Sequence, residues 1–94
     1  MPVTRVTWGG EVEKQLDRIP DPIARKFRIW VALVEESGIH DTRRYKGFHD
    51  EPLKGNRAGQ RSVRLNRAYR AIYVEHKSGE VELIEVIEVN KHDY

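Results

Sequence analysis

Apolar side chains change their spacing along the chain, and each change predicts an element. Val3 to Trp8 is β-branched and aromatic, which predicts a first strand, and Gly9-Gly10 stops it. Val12, Leu16 and Ile19 then recur at i, i+4 and i+7, the stripe of a short helix ended by Pro20. Asp21 as N-cap and Pro22 at the first helical position open a longer helix. Its apolar face is Ile23, Phe27, Trp30, Val31 and Val34, and it closes near Gly38. Two such helices in succession make an αα-hairpin. Trp8, Phe27 and Trp30 read as core.

Between Gly38 and Gln60 no period is sustained, and Gly47, Pro52, Gly55 and Gly59 punctuate the stretch. A connector of that length is read as a functional loop. Arg61 to Asn66 alternates, with Val63 and Leu65 on one side and Ser62 and Arg64 on the other. After a turn at Asn66-Arg67-Ala68, Tyr69 to Val74 reads as the next strand. Ser78-Gly79 turns the chain into a final strand, Glu80 to Val89. Its odd positions Val81, Leu83, Ile87 and Val89 are expected on one face, interrupted by Glu85 at a bulge or a partly exposed position. The expected fold class is α+β: an N-terminal strand, a two-helix hairpin, then a mainly antiparallel sheet of about four strands with the helices on one face.

With 94 residues there is room for one core, so residues 1–94 are expected to form a single domain without a deep cofactor cavity, and no cofactor is expected. The longest apolar run, Ile29 to Val34, falls far short of the roughly 20 residues that span a bilayer. Met1-Pro2-Val3 begins no secretory signal, and the absence of cysteine fits a reducing compartment. The expected location is the cytoplasm, with no membrane partner.

Charge changes the picture through its distribution. The formal balance is only +2, from 17 basic and 15 acidic residues. Yet Lys54, Arg57, Arg61, Arg64, Arg67 and Arg70 form a run of six cations without an acid, whereas Glu75 to Glu88 holds five glutamates and one lysine. Segregated positive charge is the footprint of a polyanion binder. Alternation places Arg64 and Arg70 on the solvent face, and the glycine-rich loop brings Lys54 and Arg57 nearby. Guanidinium groups match phosphate oxygens as a two-pronged fork, so this is a phosphate cradle. Tyr69, Tyr73 and Tyr94 offer rings on which bases can stack. Solvated sheet faces carry similar patterns. His49-Asp50-Glu51 and His92-Asp93 invite a metal reading, but no zinc-type spacing is present and the cations would crowd the ion, so no metal is expected.

Glu51-Pro52-Leu53-Lys54-Gly55, Gly59-Gln60-Arg61-Ser62-Val63-Arg64-Leu65, Tyr69-Arg70-Ala71-Ile72-Tyr73 and the closing His92-Asp93-Tyr94 resemble the RelE/ParE superfamily of toxins from type II toxin–antitoxin operons. The likeness covers nearly the whole chain. Members of that superfamily divide into ribosome-dependent mRNA endonucleases and gyrase inhibitors. An acid ahead of Pro-Leu-Lys, an arginine in the strand motif, and His and Tyr at the end are similar to the YoeB-like and HigB-like endonucleases. The resemblance thus implies a catalytic set of Glu51, Arg70, His92 and Tyr94. It implies substrate-binding cations at Lys54, Arg57, Arg61, Arg64 and Lys91, mRNA in the ribosome as substrate, and a cognate antitoxin as partner.

The chemistry of RNA cleavage makes the set sensible. A base takes the 2′-hydroxyl proton as the oxygen attacks phosphorus, cations hold the added charge, and an acid protonates the leaving 5′-oxygen. Glu51 is the candidate base, and Lys54, Arg64 and Arg70 the clamp. His92 is the candidate acid, since an ordinary imidazole titrates near about 6.5. Asp93 separates His92 from Tyr94, so either ring remains a candidate, with Tyr94 otherwise stacking on a base. A gyrase inhibitor of the same fold and a non-cleaving RNA-binding module are the alternatives. His49 is a reserve acid or base by its closeness to Glu51.

Overall fold

The structure, a computed structural model, describes residues 3–91, so the roles expected of His92, Asp93 and Tyr94 lie outside the described residues. Strand β1 spans Val3–Thr7, helix α1 Gly10–Arg18 and helix α2 Asp21–Ser37. Pro20 and Pro22 bracket the start of α2, where a missing N–H does no harm. Gly38 ends it with φ +86 and ψ 160, while its N–H donates to the Val34 carbonyl at 2.8 Å. That conformation is nearly confined to glycine.

The segment read as a loop is built from short pieces. A four-residue helix, α3 (Ile39–Thr42), is followed by single 3-10 turns at Lys46–Phe48 and Gly55–Arg57, on either side of a two-residue strand β2 (Glu51–Pro52). None is long enough to display a period. Strands β3 (Arg61–Arg64), β4 (Tyr69–Ser78) and β5 (Val81–Lys91) complete the sheet. The five strands run in the order β1-β5-β4-β3-β2, one more than expected, with β1 parallel to β5 and every other pair antiparallel.

Both longer helices cover one face of this sheet. Phe27, Trp30 and Val34 of α2 are fully buried against Val63, Ala71, Tyr73, Ile84 and Val89, and Val12 of α1 joins them. Trp8 packs edge-on to Phe27 at 5.2 Å, and Trp30 lies 5.4 Å from the Tyr73 ring. The expected odd-numbered face of β5 is not the observed one. Ile84 and Val86 enter the core while Val81 stays exposed. Tyr73 then pairs with Val86 and Ile72 with Glu88, leaving Ile87 as an extra residue, and this bulge returns Val89 to the core. Glu85 is an exposed position before the bulge, with His76 Nε2 3.0 Å from its carboxylate.

Candidate active site

Residues directly opposite in antiparallel strands project to the same face. Val63 and Ala71 are opposite each other and belong to the helix-covered core, so their neighbours turn to the open face. One open row runs Arg64, Arg70, Asn90 across β3, β4 and β5. The next runs Glu51, Ser62, Ile72, Glu88, of which Ser62 and Ile72 are themselves buried. The register thereby sets a carboxylate beside two arginines that face each other. His49, Glu51, Ser62, Arg64, Arg67 and Arg70 line one small, open cleft there.

Like charges directly opposite in a sheet repel. Arg70 is also half-buried, and its Nε finds no acceptor among the described residues. A buried donor without a partner costs about 1 to 3 kcal/mol, and the facing charges of Arg64 and Arg70 are what an oxyanion would offset. Glu88 lies in the adjoining row. Burial pushes its carboxyl up, but hydrogen bonds from Arg57 Nη2 at 2.9 Å and Asn90 Nδ2 at 2.5 Å, with the charges of Arg57 and Arg70, hold it below the ordinary 4.5.

The structure does not bring all the predicted cations together. Arg57 bonds Glu88 and, through Nε, Gln60 at 2.7 Å, so its charge is already matched. Arg61 stands opposite Tyr73 on the helix-covered face, where its Nε donates to Asp50 Oδ1 at 2.7 Å. Burial alone would loosen its proton, but the hydrogen bond and charge of Asp50 outweigh it and raise its pKa. Lys54 is exposed just ahead of the second 3-10 turn and does not line the cleft. Lys91 pairs with Tyr69 and borders a groove against Glu11 and Gln15 of α1, on the other face from Arg70. Arg64 and Arg70 remain as the cation pair, with Arg67 at the rim.

Two residues that carry the cleft's scaffold escape sequence reading. Asp50, with a side chain only 2% exposed, accepts from Tyr73 Oη at 2.5 Å as well as from Arg61, and Arg43 Nε lies 3.7 Å away. Arg43 donates to Tyr73 Oη at 3.1 Å and also bonds Glu75. Burial, then the bond to Asp50 and its charge, raise the Tyr73 pKa above the ordinary 10, against the opposing pull of Arg43, so the phenol stays a donor. Nothing in the spacing of His49-Asp50-Glu51 separates the buried acid from the exposed one. His49, also in the cleft, has φ +49 and ψ 48, and is the one non-glycine residue with positive φ among the described residues.

No family model matches the chain, and no curated protein matches it. Solved structures do. The YoeB/ParE toxin from Agrobacterium tumefaciens is 23% identical, with a TM-score of 0.69, over 95% of this chain and 99% of that one. YafQ from E. coli aligns at a TM-score of 0.71 and 15% identity, over 95% of this chain and 93% of that one. The archaeal RelE-RelB complex from Pyrococcus horikoshii OT3 is similar at a TM-score of 0.69 and 24% identity, covering 95% of this chain and 94% of that one. The order of elements, the mixed sheet and the one-sided helices are thus those of a RelE-like toxin fold.

Proposed function

We propose that this chain is the toxin of a type II toxin–antitoxin pair and that it cuts mRNA on the ribosome without a metal ion. The observation that carries the reading is the facing pair Arg64 and Arg70, set beside Glu51, with the Arg70 Nε lacking an acceptor among the described residues. A phosphodiester laid across the outer nitrogens of the two guanidinium groups would neutralise their repulsion.

In the proposed reaction the 2′-hydroxyl gives up its proton as it attacks the adjacent phosphorus, Arg64 and Arg70 hold the growing negative charge, and the 5′-oxygen leaves with a proton. Glu51 stands on the base side. His92 and Tyr94 are the proposed acids; Lys91, which precedes them, follows Asn90, the residue opposite Arg70. A carboxylate is a weak base, so the ribosome's part is to orient the substrate. A partner antitoxin completes the reading: RelE and YafQ have been solved with RelB and DinJ.

Induced expression followed by mapping of RNA ends tests it. Discrete cuts in translated mRNA, absent for Arg70→Ala with an unchanged fold, are expected. Intact transcripts with trapped DNA breaks would replace this reading with gyrase inhibition.

A further inference from the structure

His49 caps the 3-10 turn Lys46–Phe48 in a left-handed conformation, and of the cleft residues it alone has a positive φ. A left-handed conformation disfavours any residue with a Cβ, although His, Asn and Asp tolerate it better than most. Such strain persists where the surroundings over-determine it, and functional sites are where it concentrates. Here the surroundings do so from both sides. His49 N donates to the Lys46 carbonyl at 3.1 Å, closing the preceding turn. The next residue, Asp50, is clamped by Tyr73 at 2.5 Å and Arg61 at 2.7 Å. Between two fixed neighbours the imidazole is held out into the cleft, exposed, with Glu51, Arg64 and Arg70.

We propose that His49, in place of Glu51, is the proton-transfer base of this cleft, the group that takes the 2′-hydroxyl proton of an RNA substrate; this revises one role in the nuclease reading above and otherwise rests on that reading. Imidazole suits the task better than a carboxylate, because its change of charge falls near the working pH. A neutral ring nitrogen takes the proton as the 2′-oxygen forms its bond to phosphorus. The P–O5′ bond breaks, the 5′-oxygen collects a proton from the acid, and the imidazolium returns its own to water, leaving a 2′,3′-cyclic phosphate. Glu51 from β2, Arg64 from β3, Arg67 from the turn, and Tyr69 and Arg70 from β4 line the cleft with the ring. The cations hold the phosphate, while Glu51 can accept a hydrogen bond from the ring or the substrate.

The experiment is single-turnover cleavage of an mRNA on purified ribosomes across about pH 5 to 8, comparing the wild type with His49→Asn, His49→Gly and Glu51→Gln. A base must be deprotonated, so the wild-type rate should rise with pH through the imidazole range. In His49→Asn and His49→Gly that rising limb should vanish and the rate fall about 10²-fold or more, with ribosome binding unchanged. His49→Gly should melt no lower than the wild type, because glycine is at ease at this φ. Glu51→Gln should keep the rising limb. A His49→Asn protein with the wild-type rate and profile overturns the proposal. So does a slower one that keeps the limb and binds ribosomes less well. A wild type that leaves mRNA uncut removes the nuclease reading itself, and this proposal with it.

Discussion

Arg64 and Arg70 show what register does to a pair of side chains. Either arginine alone would be one more solvated cation; opposite each other, with the Arg70 Nε short of an acceptor among the described residues, they are the pair to which the proposed function gives an oxyanion. Arg70→Ala is expected to slow cleavage on ribosomes by about 10²- to 10³-fold, the range for losing one transition-state donor, and Arg70→Lys should restore little of it. Asp50→Ala has a different expected signature. It leaves Arg61 without its carboxylate and the Tyr73 hydroxyl without its acceptor, and denaturant unfolding should register about 2 to 3 kcal/mol. That is less than a fully buried pair would lose, because the Arg43 and Arg61 side chains keep 20% and 26% of their exposure. Strand parity was enough to read Arg64 and Arg70. The same parity carried a warning about Arg61, which shares its side with Val63, but a run of cations hid it. The tie between Arg57 and Glu88 has no local trace, since the two are distant in sequence.

Helices α1 and α2 were legible because they are long enough for a period to repeat and end at prolines and a glycine. The stretch from α3 to the second 3-10 turn was not, because each of its pieces is too short for a period to repeat. Strand β5 misled for a different reason: a bulge at Ile87 shifts the alternation midway, so no single parity describes the strand. Gly38 offers a clean test of an element boundary. A Cβ there would meet only Thr4 Oγ1, at an ordinary 3.9 Å, so Gly38→Ala isolates the backbone conformation, and thermal melts should show a loss of about 1 to 3 kcal/mol. The β3–β5 face also carries a pH signature. The Glu88 carboxyl titrates lower in the folded chain than in the unfolded one, so its stabilisation is present above the ordinary 4.5 and is lost as pH falls through the depressed folded value. Stability measured by denaturant unfolding through that acid window should fall as the pH falls, and less steeply in Glu88→Gln.

Taken whole, the molecule sorts its work by face: apolar contacts and helices on one side of the sheet, unshielded cations on the other. The central run holds six cations, of which the sequence alone assigns Lys54, Arg57, Arg61, Arg64 and Arg70 to RNA. With Arg57 and Arg61 engaged by acids, four remain, Lys54, Arg64, Arg67 and Arg70. Binding to single-stranded RNA should therefore weaken with salt at a log–log slope of about −3, from roughly 0.7 per phosphate neutralised, as titrations at several salt concentrations would measure. No helix among the described residues is long and apolar enough to cross a membrane.

Between Asp50 and Glu51 the chain passes from the dry side of the sheet to the wet one within a single peptide link. Tyr73, which grips Asp50, is itself wedged against Trp30. The orientation of Glu51 and of the cleft rim beside it is thereby geared to packing in the interior. A genetic screen for survivors of induced expression should accordingly collect lesions at Trp30, Tyr73 and Arg43 alongside those in the cleft, in proteins that still accumulate and still reach the ribosome.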